Sequence, residues 1–200
     1  RRKSMVKKLT ESSQVFKKPE LRSLLLKKRL NMDYDVLLSS SIDIGNLFID
    51  SIHQLESFSS IALYYPTNCE VETKFIHNTL IKLNKKVLYP KLLGNRIRFI
   101  QAHSLDNFSV GKFNIMEPVG LDFVDLEDID FFVVPSLAVG KTGRRLGYGG
   151  GFYDKELEDI GKERILSFIY DFQFIETYSG ENHDIKFSKV FTEKRFMQIN

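Results

Sequence analysis

One segment constrains this chain more than any other. Pro135 to Lys155, PSLAVGKTGRRLGYGGGFYDK, sets glycines 147, 149, 150 and 151 beside Arg144, Arg145, several aromatic rings and the carboxylate of Asp154. The run Phe131 to Val134 before it is short, apolar and β-branched enough for a buried strand, and the periodicity turns helical from Phe152. The segment is therefore expected to be a loop between a strand and a helix. Glycines let backbone amides approach an anion closely, and amides at a helix start carry partial positive charge. Arg144 and Arg145 add planar forks matched to phosphate oxygens. A glycine-rich turn can also exist only to reach positive φ, but the flanking arginines and carboxylate favour phosphate handling. The loop lacks the Gly-Lys-Ser/Thr ending of a P-loop. It also lies too late in the chain, with no clear strand and acidic partner after it, for a dinucleotide fingerprint.

The segment resembles the signature of the 5-formyltetrahydrofolate cyclo-ligase family, also called methenyltetrahydrofolate synthetases. Gly143, Arg145, Leu146, Gly147, Gly149, Gly151, Tyr153 and Asp154 match it, while Ser136, Val139, Gly140 and Phe152 replace the usual Gly, Phe, Asp and Tyr. The resemblance implies ATP and Mg2+ as co-substrate and cofactor. Arg145, Lys18 and Asp154 are then the catalytic set, with Asp154 the metal ligand. Lys18, Arg22, Arg145, Leu146, Gly147, Tyr148, Gly149, Gly150, Gly151, Phe152 and Tyr153 contact ATP.

Near the N-terminus, Lys18-Pro19-Glu20-Leu21-Arg22 opens a helix with an apolar stripe through Leu21, Leu24 and Leu25. Lys18 and Arg22 share a face at spacing i, i+4, with Arg29 two turns further along, so both cations can address one phosphate. A solvated basic face is the plainer reading of that spacing. The family carries Lys-x-x-Leu-Arg at this place, and there the Lys and Arg contact ATP. A second helix is expected from Tyr34 to about Leu55, on which His53 has no metal-binding companion and is read as a surface or packed histidine.

Next, Ile61 to Pro66 reads as a strand and the amphipathic run Phe75 to Leu83 as a helix, one βα unit with Glu70 and Thr73 between. Ligands of open α/β sheets gather outside the carboxyl ends of strands, so Glu70 stands where a ligand could be; helix capping is its other explanation. The family's Glu-x-x-Thr at this place contacts the folate. The resemblance therefore puts Tyr65, Glu70 and Thr73 in the substrate site, together with Tyr148, Gly149, Gly150, Gly151 and Phe152. Lys86–Tyr89, Arg96–Ile100 and Ile165–Tyr170 read as further strands, and Val190 to Phe196 with Ile199 as a final pair. Glu117-Pro118, Gln173 and His183-Asp184 also match the family, whose second metal-binding Asp falls near Ser188; Asp184 is a possible substitute.

The chain has 200 residues, 42% of them hydrophobic, enough for one sizeable core. The matched motifs run in order from Lys18 to Thr192, and the alternating elements indicate a Rossmann-like, three-layer αβα sandwich of the CoA-transferase-like kind around a mostly parallel sheet. A single catalytic domain over 18–200 is expected, preceded by a basic arm at 1–17. Residues 1–30 hold eleven of the 29 basic and two of the 26 acidic residues, a net of +9 against −6 for the rest. An RNA- or membrane-binding arm would need interleaved aromatics, of which the segment has only Phe16, so a polyphosphate ligand explains the charge better. The single cysteine, Cys69, excludes an intramolecular disulfide and a cysteine metal cluster, and no apolar run reaches membrane-spanning length. A cytoplasmic monomer acting on small molecules, without nucleic acid or membrane partners, is expected. The competing readings are a nucleotide- or RNA-binding module and a phosphosugar- or acyl-handling enzyme.

Overall fold

Helix α1, Lys18–Leu30, begins where Pro19 presets the helical φ, and its cationic last turn suits the negative end of the helix dipole. The computed structural model describes residues 17–52 and 57–199; the arm up to Phe16 and His53 lie outside them. Helix α2, Tyr34–Ser51, is capped by Asp33, whose carboxylate accepts from the amides of Asp35 and Val36. The Ile61–Pro66 expectation resolves into a short strand β1, Ser60–Ala62, after which the chain leaves the sheet through Tyr64 and Tyr65. Helix α3, Lys74–Lys82, then leads into β2, Lys86–Leu93, and β3, Arg96–Gln101. A small hairpin of β4, Phe108–Val110, and β5, Met116–Pro118, is followed by β6, Phe123–Val124, and β7, Phe131–Val133.

The glycine-rich segment is more than a loop. It contains β8, Ala138–Gly140, and β9, Arg145–Leu146, before the helix α4, which covers only Phe152–Glu156. Strands β10, Ile165–Phe168, β11, Phe174–Ile175, β12, Lys189–Phe191, and β13, Phe196–Gln198, complete the chain.

The main sheet has the order β13-β12-β10-β7-β1-β2-β3-β6. Strands β12, β10, β7, β1 and β2 are mutually parallel; antiparallel β13 closes one edge, and at the other β3 runs antiparallel to β2 and β6 antiparallel to β3. The chain builds outward from β1 toward β6, then restarts beside β1 with β7 and builds the other way. The switch between β1 and β7 leaves a crevice at their carboxyl ends, where open α/β sheets bind ligands. Period-two alternation sends Ile61, Val87 and Val133 to one face and Ala62, Leu88 and Phe132 to the other. The first face packs beneath Ile44 and Phe48 of α2 and Ile76 and Leu80 of α3; the second is covered by α4, Leu157, Ile185 and Phe187. A separate three-stranded sheet, β11-β8-β9, carries the glycine segment, and Leu21 and Leu25 of α1 pack on its Leu137, Ala138 and Leu146. That docking brings α1 to the site.

His77 of α3 is 1% exposed, with Nδ1 3.2 Å from the Tyr89 hydroxyl. Burial holds its pKa below the ordinary value, so the folded state resists protonating it. The unfolded chain binds a proton there as pH falls below about 6.5 while the folded chain does not, so stability should drop with acidification through that value. Melting temperatures of the wild type and His77→Phe across that pH range check this: the variant should lose part of the slope.

Candidate active site

The β8–β9 hairpin aims Arg145 inward. Its guanidinium makes a bidentate pair with Asp154, Nε to Oδ1 at 2.9 Å and Nη2 to Oδ2 at 2.8 Å, and Nη1 donates to the Pro135 carbonyl at 2.9 Å. Asp154 Oδ1 also accepts the Ile185 amide at 3.0 Å. Burial alone would raise the Asp154 pKa, but the hydrogen bonds and charge of Arg145 hold it below the usual carboxylate range. Gly147 makes this geometry possible, because a Cβ there would lie 2.6 Å from Arg145 Nη2. Residues 147–151 belong to no helix or strand, and Gly149 and Gly151 have φ of 105° and 65°. Helix α4 starts at Phe152 as the periodicity suggests and ends after five residues at Leu157, whose side chain is buried.

A cleft of about 670 Å³ opens beside this loop, within the usual size of small-molecule sites. Arg145, Gly150, Gly151, Phe152 and Tyr153 line one side; Tyr65, Thr67, Asn68 and Glu70 line another, and Tyr148 joins them. The Tyr148 hydroxyl donates to Glu70 Oε1 at 2.8 Å, while Oε2 accepts the Thr67 amide at 2.9 Å. Glu70 thus ties the βα turn to the glycine loop and does not cap α3. Its pKa is raised, since burial outweighs the opposing Arg29 charge and the hydrogen bonds from Thr67 and Tyr148. Burial and the nearby Glu70 charge push Tyr148 upward as well. On the far rim, Phe113 adopts φ 56° and its ring lies 5.8 Å from that of Phe152.

Other expected site residues sit elsewhere. Thr73 is 1% exposed and donates to the Tyr64 carbonyl at 2.9 Å; it fixes the turn after β1 and does not line the cleft. The Leu146 side chain is fully buried against α1, so only its backbone could reach a nucleotide. Arg22 Nε donates to the Gly147 carbonyl at 2.8 Å, and Lys18 Nζ lies 2.8 Å from Asp184 and 3.0 Å from Glu181. Both residues support the loop and its neighbouring segment without lining the cleft.

Arg144 is turned away, donating at 2.8 Å to the carbonyls of Asn182 and Asp184. Asp184, the possible second metal carboxylate, is committed to Lys18, and with Glu181 and His183 it forms the one metal-like cluster among the described residues. Ser188 is buried just before β12. Gly140, where the resemblance leads one to expect Asp, has a backbone cause: a Cβ would sit 1.9 Å from the Tyr178 carbonyl. Gly140→Asp should therefore destabilise the fold by about 1–3 kcal/mol, readable as a lower denaturant midpoint.

Two buried positions that hold the walls of the cleft are absent from the sequence-based site. Gln173 is buried and donates to the carbonyls of Ser136 and Leu137 at 3.0 and 2.9 Å, clamping the segment ahead of β8; its match to the family was noted without a role. Arg29 is 1% exposed. It falls in the register of Leu21 and Leu25, and a charge at that place in an apolar stripe is the signal that could have marked it as buried and partnered.

A family model described as the 5-formyltetrahydrofolate cyclo-ligase family matches residues 14–193. A 5-formyltetrahydrofolate cyclo-ligase of Mycoplasma genitalium is 30% identical over 80% of this chain and 88% of its own length. That of Escherichia coli K12 is 28% identical over 68% of this chain and 79% of its own. An NMR structure of Aquifex aeolicus 5,10-methenyltetrahydrofolate synthetase superposes with a TM-score of 0.81 at 33% identity, covering 92% of this chain and 93% of that one.

Proposed function

The chain belongs to the 5-formyltetrahydrofolate cyclo-ligase family, and on that premise we propose how its cleft divides the work of the reaction. The enzyme is a ligase that closes 5-formyltetrahydrofolate to 5,10-methenyltetrahydrofolate, with ATP as co-substrate. One observation carries the division: a single cleft has a buried carboxylate, Glu70, at one side and the Arg145 fork with Gly150 and Gly151 of the loop at the other.

The chemistry explains why both are needed. A formamide carbon is a poor electrophile and its oxygen a poor leaving group. The formyl oxygen attacks the γ-phosphate, a P–O bond forms, and ADP departs. The second nitrogen then adds to the activated carbon and loses its proton, and phosphate leaves with the former formyl oxygen to give the methenyl product. No protein nucleophile is required, so catalysis rests on positioning and charge stabilisation. Glu70 accepts from the donor edge of the pterin and sets the depth of the folate, while Tyr65 and Phe152 supply ring faces along the cleft. Arg145 and the amides of 147–151 take phosphate oxygens. Lys18 and Arg22 join them by exchanging Asp184 and the Gly147 carbonyl for phosphate.

Asp154 offers the hard oxygens that magnesium takes, but both are engaged by Arg145. The fit holds only if the carboxylate shares its pair, which is feasible because magnesium keeps water and phosphate oxygens for most of its ligands. When bound, the ion would draw charge from the β- and γ-phosphate oxygens. In the pair with Arg145, Asp154 is a positioning residue. The reading is of a cytoplasmic monomer acting on small molecules, and it invokes no nucleic acid. No helix among the described residues is long and apolar enough to cross a membrane.

The test is to mix the protein with 5-formyltetrahydrofolate, ATP and magnesium and follow the near-ultraviolet absorbance of the methenyl product. Signal is expected only with all three. Turnover without ATP would overturn the phosphorylation route, and turnover with ATP but without a divalent cation would remove the metal from the reading.

A further inference from the structure

Helix α1 carries a fully buried cation, Arg29, that the phosphate reading does not use. Arg29 Nε donates to the Asn68 carbonyl at 2.8 Å, Nη1 to the Ser136 carbonyl at 3.4 Å, and Nη2 to the Tyr148 hydroxyl, leaving Nη2 3.9 Å from Glu70 Oε1. The Tyr148 hydroxyl accepts from the arginine and donates to Glu70, so the three groups form one directed chain. The guanidinium touches both walls of the cleft: Asn68 in the turn after β1, and Ser136 and Tyr148 in the glycine segment. A buried cation without full pairing costs heavily, so a site that keeps one here uses it to hold charge in place.

We propose that Arg29 is a positioning residue for the folate side of the cleft, keeping Glu70 ionised and oriented through Tyr148 while Lys18 and Arg22 on the same helix serve the phosphate side. The proposal rests on the reading of Glu70 as the pterin acceptor. A neutral carboxylic acid would present one oxygen as a donor and lose an acceptor for the pterin N–H groups. The other groups around Glu70 cannot replace the arginine. Tyr64, Tyr153 and Tyr170 are neutral hydroxyls, and the Glu72 carboxylate disfavours a second negative charge. Burial pushes Glu70 upward and Arg29 is the charge that opposes it, which agrees with the geometry. The arrangement also makes α1 a strut common to both substrates.

Arg29→Gln, Arg29→Lys, Tyr148→Phe and Glu70→Gln test this by steady-state kinetics against pH, varying 5-formyltetrahydrofolate and ATP separately. Arg29→Gln is expected to raise KM for 5-formyltetrahydrofolate about tenfold or more while KM for ATP stays within about twofold. The acid limb of its kcat/KM profile should move to higher pH by about one unit, because removing a nearby positive charge raises the carboxyl pKa. Arg29→Lys should restore part of that shift. If Arg29→Gln does not fold, Tyr148→Phe decides, since it breaks the chain of hydrogen bonds without stranding a buried charge and should also raise KM for the folate selectively. Equal changes in both KM values with an unmoved pH profile would overturn the proposal and leave Arg29 a structural strut. An unaffected folate KM in Glu70→Gln would instead sink the reading of Glu70 beneath it.

Discussion

Arg145→Ala is expected to lower kcat about 10³-fold or more, the scale seen when an arginine that stabilises phosphoryl-transfer charge is removed. The same change strands Asp154, a largely buried carboxylate whose partner it deletes, and should cost about 3–5 kcal/mol of stability. Loss of activity alone would therefore not separate chemistry from folding. The pair supplies its own control. Arg145→Met combined with Asp154→Leu removes both charges at similar volume and should recover most of the stability, because the cost lies mainly in the unpaired partner. That double variant should melt near the wild-type temperature and remain inactive. Recovery of turnover along with stability would strip Arg145 of any role in the reaction. Asp154→Ala alone should lose both turnover and stability, since it leaves the buried guanidinium with the Pro135 carbonyl as its hydrogen-bond acceptor and no carboxylate to balance its charge.

The second large effect belongs to the other side of the cleft. Glu70→Ala is expected to raise KM for 5-formyltetrahydrofolate about 10²-fold, the loss of charge-assisted hydrogen bonds in a desolvated site. ATP affinity, measured by calorimetry without folate, should change little. The variant also frees the Thr67 amide and the Tyr148 hydroxyl, so some loosening of the glycine loop is expected beside the binding defect. A folate KM within a few-fold of the wild type would remove Glu70 from substrate recognition. A matching loss of ATP affinity would instead mean that Glu70 acts by holding the loop.

Much of the parallel sheet is legible in the chain. Ile61–Ala62, Phe131–Val133 and Ile165–Phe168 are short apolar runs, and hydrophobic periodicity separates them from the helices at Tyr34 and Phe75. The glycine segment, the Lys18 to Arg22 spacing and Glu70 after a strand mark where the proposed chemistry lies, because residue types and short spacings are local properties. What each charge touches is not local. Lys18 meets Asp184 across 166 positions, Tyr148 meets Glu70 across 78, and Arg29 meets Asn68 across 39.

Those pairings exist only once Leu21 and Leu25 have docked α1 on the small sheet and the strand order has switched between β1 and β7. Arg145 could be marked as a phosphate ligand from its motif, but its pairing with Asp154 depends on the hairpin that aims it and on Gly147 leaving room beside it. Thr73 and Leu146 carry motif matches and yet are buried, because the backbone that presents them turns their side chains into the core. The sequence by itself determined the order of the helices and of the parallel strands, and the chemical inventory of the proposed site. Burial and partner choice came from the tertiary structure, since a buried charge or hydroxyl takes whichever distant group the packed core brings within hydrogen-bonding distance.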